Sequence, residues 1–413
     1  MAVFPLLDAA SDQLSSATEN GALRQRVKST MPSNGHARQP SEQQTFSRTG
    51  YAHSLLHRCN YIARKHTWTT PLALLLAFLS IYAINPTESN IIHHFIFLSY
   101  KQQSLEAGAH LATPPHYGKG YWDIAFVSFY TIVLSFTRDF VMQELLRPLA
   151  LFCGIKSRGK QLRFMEQMYT AIYFSFMGLS GAYVMYQTPV WYFNTRGMYE
   201  LFPHKTHEAI FKFYYLFQAA YWAQQAIVML LGIEKRRKDF KELVVHHIVT
   251  LSLISLSYRF HFTYMGIAIY LTHDISDFFL ATSKSLHYIN SPMVGLTFGI
   301  SIGIWIYLRH YLNLRIIFSL FTEFRTVGPY ELDWDTQQYK CLYSNVITFG
   351  LLVTLQILNI FWLFCLLRSA YQYAVHKIAK DDRSEDEESE LEETARKEKE
   401  TTRVDALPVL NGN

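Results

Sequence analysis

Apolar residues in this chain fall in long runs, separated by short basic stretches and flanked by polar ends. A perpendicular bilayer crossing takes about 20 apolar residues at a helical rise of about 1.5 Å each. Runs of that length, or nearly so, lie at roughly 67–84, 121–140, 165–186, 209–232, 243–260, 263–283, 293–312 and 341–368. The run Ile91-Ile92-His93-His94-Phe95-Ile96-Phe97 is too short to span and reads as an interfacial or re-entrant piece. Only a few residues around His261 separate the fifth and sixth runs, which predicts an antiparallel neighbouring pair. The pattern predicts an all-α polytopic membrane protein of about eight transmembrane helices, with seven as the alternative count.

The loops predict orientation. Arg58, Arg64 and Lys65 precede the first run, and Arg147, Lys156, Arg158, Lys160 and Arg163 lie between the second and third. Between the fourth and fifth comes Glu234-Lys235-Arg236-Arg237-Lys238-Asp239-Phe240-Lys241. Basic residues in short loops mark the cytosolic side, so both chain ends are expected in the cytosol. Residues 1–65 read as a disordered cytosolic arm and 66–118 as the first transmembrane helix with a luminal loop. Residues 119–375 read as the main membrane domain and 376–413 as an acidic, disordered cytosolic tail. Ser384 and Ser389 stand among acidic residues there, where phosphate would add negative charge near the membrane.

Composition agrees: 50% of residues are hydrophobic, 17% charged and 15% aromatic, which suits a bilayer and its aromatic belts. The net charge of +5 averages basic loops against an acidic tail, and no continuous basic stripe suggests nucleic acid. Cys59, Cys153, Cys341 and Cys365 lack the spacing of a disulfide framework or a zinc site. The first 50 residues are polar and show no cleavable signal peptide. Asn85-Pro86-Thr87 has proline in the middle and is no glycan acceptor.

Ionisable groups inside a bilayer are costly and tend to be functional. The fifth run holds His246 and His247, and the sixth holds His273-Asp274-Ile275-Ser276-Asp277. The fifth run enters from the cytosol near Glu242, placing His246 and His247 about 6–8 Å deep at the helical rise. Asp277 and Asp274 lie about 10 and 15 Å from the cytosolic end of the sixth run by the same rise. Two segments thus bring their polar residues to one leaflet. Asp274 and Asp277, three positions apart, share a helix face. His246 and His247 differ by about 100° of rotation, so only one can point squarely at the carboxylates. His273 projects from a different face, and His261 and His287 sit near helix ends, where interfacial histidine is ordinary.

Imidazole can act as a general base or as an acyl-accepting nucleophile, with a carboxylate fixing its tautomer. Acyl transfer from a thioester fits that set. No HxxHH box occurs, and His204 and His207 fall on the opposite side of the membrane, so no metal site is expected. Lys235, Arg236, Arg237 and Lys238 are candidate contacts for the phosphates of a CoA donor, although a topology signal that meets anionic lipid is the plainer reading of such a loop.

The stretch from Lys238 through His246-His247 to Thr250, followed by His273-Asp274-Ile275-Ser276-Asp277-Phe278, resembles the longevity-assurance signature of ceramide synthases of the TLC-domain family. The likeness runs from about Tyr121 to Tyr373. It takes in Ala219-Ala220-Tyr221-Trp222-Ala223-Gln224-Gln225, Ile306-Tyr307-Leu308-Arg309-His310 and Gln337-Gln338-Tyr339-Lys340-Cys341. The acidic tail is similar to the fungal branch.

The resemblance implies a helical barrel in the endoplasmic reticulum membrane. It implies N-acylation of a sphingoid base, sphinganine or phytosphingosine, by a fatty acyl-CoA co-substrate to give (dihydro)ceramide, with no resident cofactor. It assigns the family's essential residues to His246, His247, Asp274 and Asp277. A small single-span accessory subunit and a homo- or heterodimer are the implied protein partners. The alternative reading is a non-catalytic lipid-binding, sensing or transport protein built on the same polar cluster, and behind it stands a metal-dependent membrane enzyme. Chain-length preference would depend on the acyl tunnel and on loops such as 326–340.

Overall fold

A computed structural model describes residues 66–102, 115–233 and 239–376. The expectations for the arm at 1–65, for Lys235, Arg236, Arg237 and Lys238, and for Ser384 and Ser389 lie outside the described residues.

Helices form where the apolar runs predict them, and several extend beyond. Helix α1 is Thr69–Ile84, and the short run after it makes only the single turn His93–Ile96, α2. Helix α3 covers Trp122–Phe152, continuing past the expected end at 140 through a π-helical turn, Val141–Leu146. Helix α4, Arg158–Tyr186, begins a full turn or more before its apolar run: Arg158 stays exposed there, and buried Arg163 pairs with Glu166 at 2.9 Å. Helices α5 (Ala209–Leu230), α6 (Phe240–Arg259) and α7 (Thr263–Tyr288) follow. Helix α8, 294–319, carries a second π-helical segment, Ile306–Leu312. A short α9, Glu323–Thr326, precedes the last long helix, α10, Leu342–His376. Among the described residues, Trp122–Phe152, Phe240–Arg259 and Leu342–Val375 are long and apolar enough to cross a membrane by length and composition. The other long helices have polar residues turned inward: α4, α5 and α7 bury Arg163, Gln218 and Asp274.

Small residues let the helices approach. A Cβ built on Gly181 of α4 would collide with the Tyr214 hydroxyl of α5, and one on Gly266 of α7 would collide with that of Tyr215. Around them runs an aromatic core in which Tyr173 and Tyr221 stack at 3.8 Å. The turn between α6 and α7 is tight: His261 lies in the left-handed region at φ 68°, reversing the chain directly into Thr263 as predicted.

That turn belongs to a closed polar end. Two two-residue strands, β1 His116–Tyr117 and β2 His207–Glu208, pair antiparallel with His116 opposite Glu208. Lys212 at the start of α5 is fully buried, pairs with Asp123 of α3 at 2.7 Å, and donates to the Ser99 and Gly118 carbonyls. The other Asp123 oxygen accepts from the Tyr258 hydroxyl at 2.8 Å and from the Gly120 amide at 2.9 Å. Lys119 donates to the His204 carbonyl at 2.8 Å, and its Nζ lies 3.3 Å from His261 Nδ1. Burial, with Lys119 adding to it, pushes His204 down to about 4 and His261 down to about 3.

Candidate functional site

The opposite end of α6 and α7 is open. His246 and His247 lie one turn into α6, both buried, with ring centroids 5.7 Å apart and planes perpendicular. A helix separates adjacent side chains by about 100°, so the two rings turn to different neighbours. His246 packs edge-on to Trp222 of α5 at 5.6 Å and to Trp362 of α10 at 5.2 Å. The Trp362 indole donates in turn to Asp239 just before α6 at 3.1 Å. His247 Nδ1 donates to the Leu243 carbonyl one turn back at 2.9 Å, which leaves Nε2 as the basic nitrogen of the neutral ring.

Two cavities meet at His246. A polar cavity of about 650 Å³ is bordered by His246, His247, Asp277, Arg309, Lys284 and Trp222, among others. An apolar cavity of about 310 Å³ is bordered by His246 and Trp222 again, then runs along one face of α6 past Thr250, Leu253 and Ser257 to Phe260. From His246 to Phe260 is roughly 21 Å at the helical rise, so the apolar cavity follows most of the length of α6. Cavities of these sizes suit small-molecule or lipid ligands.

The two aspartates part company. Asp277 borders the polar cavity with both histidines, and its Oδ1 pairs with Arg309 Nη2 of α8 at 2.6 Å. Arg309 is buried, donates through Nε to Ser276 at 2.6 Å, and lies over the Trp305 ring at 3.9 Å. Asp274 borders neither cavity. It is fully buried, and its Oδ2 accepts from Tyr214 at 3.1 Å and from Gln218, whose Oε1 accepts from Tyr173 at 3.1 Å. Oδ1 of Asp274 has no hydrogen-bond partner among the described residues. The structure thus brings three of the four expected residues to one cavity and sets the fourth behind them, tying α7 to α5 and α4. His204, His207 and His261 belong to the closed end, away from this pair.

Trp222, Arg309, Tyr214 and Gln218 were not singled out individually from sequence. For Arg309 the signal was available: a lone arginine in an apolar run obeys the same rule that exposed the histidines. Trp222 and Gln218 look like ordinary core or interface residues until the helices are assembled.

Chemically, the site offers one or two imidazoles, a carboxylate held by a guanidinium, and an apolar channel leading away from them. A family model described as the TLC domain matches residues 163–368. The chain is 55% identical over 345 residues to the sphingosine N-acyltransferase-like protein FUM17 of Gibberella moniliformis, covering 83% of this chain and 87% of that one. It is 46% identical to sphingosine N-acyltransferase lac1 of Schizosaccharomyces pombe, covering 80% of this chain and 83% of that one. It is 46% identical to ceramide synthase LAG1 of Saccharomyces cerevisiae, covering 81% of this chain and 80% of that one.

Proposed function

We infer, from a chain that belongs to the TLC-domain family of sphingosine N-acyltransferases and from the meeting of two cavities at His246, that the protein joins a fatty acyl group to the amine of a sphingoid base. It is a multi-pass helical membrane protein and an acyltransferase of the ceramide synthase family. The observation that carries the reading is the shared wall. His246 and Trp222 border the polar cavity and the apolar cavity alike, as a reaction between a polar headgroup and a fatty chain requires.

The acyl chain lies along α6 in the apolar cavity, with its thioester carbon beside His246 and His247. The polar cavity receives the CoA end of the donor and the amino headgroup of the base. If an imidazole is the nucleophile, its ring nitrogen bonds to the acyl carbon, the C–S bond breaks, and the thiol leaves with a proton. The amine then attacks the acyl carbon, the C–N bond to the ring breaks, and the freed imidazole takes up the amine's proton. If an imidazole is the base, it takes the amine proton as the amine attacks the thioester carbon directly, the C–S bond breaks, and the imidazolium passes that proton to the leaving thiolate. In both routes Asp277 offsets the imidazolium charge, and Arg309 holds Asp277 in place. Asp274 keeps α7 in register from behind.

The basic loops of the sequence support a cytosolic open end, where an acyl-CoA is available, with both chain ends on the same side of an endoplasmic reticulum membrane. Eight crossings then correspond to α1, α3–α8 and α10. Outward-facing Leu74, Leu76, Leu79 and Ile81 of α1 fit a lipid or single-span-subunit contact. A purely lipid-binding role is not favoured, since the matched relatives are named as enzymes.

The test uses membranes from cells lacking ceramide synthases and expressing this protein or its His246→Ala or Asp277→Ala variant. Labelled sphinganine and acyl-CoAs of C16 to C26 are supplied, and products are read by mass spectrometry. Ceramide from the parent and near-background product from both variants supports the reading. Turnover retained in both variants at the parental rate overturns the site.

A further inference from the structure

The apolar cavity has a polar spot that the acyl-transfer chemistry does not use. Tyr270 and His273 both border this cavity, lie three positions apart on α7, and are each only 5% exposed. Three positions along a helix place two side chains on one face, as neighbours. Neither the Tyr270 hydroxyl nor His273 Nε2 has a hydrogen-bond partner among the described residues. Buried polar atoms left unpaired are rare in native proteins, and each calls for an explanation.

The tautomer of His273 narrows what could satisfy it. Its Nδ1 donates to the Ile269 carbonyl at 2.8 Å, so the proton of the neutral ring sits there and Nε2 presents a lone pair. A partner must therefore donate to His273. The Tyr270 hydroxyl can give or take. A saturated chain or a thioester has no hydrogen to donate, and a carbonyl can only accept. A hydroxyl does both, donating to His273 Nε2 while accepting from Tyr270. We propose that Tyr270 and His273 form a hydroxyl-recognition subsite inside the apolar cavity, which reads one hydroxyl on a long-chain substrate. This rests on the acyltransferase reading above and adds substrate discrimination to it.

The hydroxyl could come from the sphingoid base, at C1, C3 or C4, or from C2 of a hydroxylated acyl chain. The shared chemistry is a hydroxyl on an aliphatic chain, and competition separates the sources. The full-length protein and its Tyr270→Phe and His273→Asn variants, in the same membranes, are offered pairs of substrates that differ at one position. The pairs are sphinganine with 1-deoxysphinganine, sphinganine with 3-ketosphinganine, phytosphingosine with sphinganine, and 2-hydroxyacyl-CoA with plain acyl-CoA. The product ratio within one tube does not depend on how much folded enzyme a variant yields.

One lost hydrogen bond of this kind shifts a ratio by about five- to tenfold. The expected result is such a shift in one pair, in the same direction for both variants, with the other pairs unmoved. The shifted pair names the hydroxyl. Ratios within about twofold of the parent for every pair overturn the subsite while leaving the acyltransferase intact. Loss of all turnover with every pair in both variants also overturns it, because a subsite for one hydroxyl does not carry the reaction. A parent protein that makes no ceramide overturns the underlying reading, and the subsite with it.

Discussion

The two ends of the α6–α7 pair hold the same kinds of residue and do opposite things with them. Each has buried histidines and an aspartate paired with a buried cation: half-buried Asp277 with Arg309 at one end, buried Asp123 with Lys212 at the other. At the closed end the groups consume one another. Lys212 is taken up by a carboxylate and two carbonyls, Asp123 by a tyrosine and an amide, and His204 by the backbone around it. None of them borders the two cavities. At the open end, His246, His247 and Asp277 all face a cavity, and a second cavity begins at His246. Buried polar residues therefore do not mark a site by themselves. Those that also border space for a ligand do.

Mutation should separate the ends by what is lost. His246→Ala and His247→Ala should each cut ceramide formation by about 10²–10⁴-fold, the usual worth of a positioned acid–base group. Folded yield, followed by size-exclusion in detergent, should hold for both. Lys212→Met should do the reverse. Leaving Asp123 buried without its cation should cost about 3–5 kcal/mol of stability, seen as a lowered Tm, and the Asp123→Asn/Lys212→Met pair should recover much of it. A Lys212→Met protein with parental Tm would show that the closed end is not held by its ion pair.

Gly181→Ala sharpens the comparison from between the two ends. The added methyl collides with the Tyr214 hydroxyl, which donates to Asp274, so it disturbs the site from behind without touching a cavity. Overpacking of this kind should cost about 1–3 kcal/mol, with turnover falling alongside Tm. Serine at the same position should behave like alanine, and a Tm within error of the parent in both would remove Tyr214 from its positioning role.

The smallest expected effect is one of pH. Burial lowers His204 to about 4 and His261 to about 3, so the folded state resists protonation that the unfolded chain accepts near the ordinary histidine value of about 6.5. Between those values the unfolded state binds more protons, and stability falls as pH falls. The closed end should lose stability as pH drops from 7 towards 5 and change little between 7 and 8. Tm against pH for the parent and for His204→Gln checks this; an equally steep acid slope in His204→Gln would assign the dependence to other groups.

How much of this was legible beforehand depends on the range of the interactions involved. Helix positions followed from runs of apolar residues, and Ala209–Leu230 and Thr263–Tyr288 begin where those runs begin. Boundaries failed where charge was neutralised internally: Arg163 with Glu166 let α4 start early, and a π-helical turn carried α3 past its apolar run. The histidine pair and Asp277 were visible because ionisable groups stand out against Leu, Ile and Phe. Arg309 stood out as well, but its partner lies on another helix, 32 positions earlier in the chain.

The order of residues along the chain is enough to make it a set of long apolar helices, to set where most of them start, and to mark His246, His247, Asp274 and Asp277 as unusual in that setting. Those are properties of single segments, set by composition, periodicity and the cost of charge in an apolar medium. Which of those residues border a cavity depends on how the helices pack. Asp274 and Asp277 share a helix face, yet Tyr214 and Gln218 from α5 cover one while the other opens to a cavity. His273 and Tyr270 gained their interest in the same way, because the cavity beside them is formed by side chains from several helices. Whether a polar group is satisfied depends on its neighbours in space, and no single apolar run contains them.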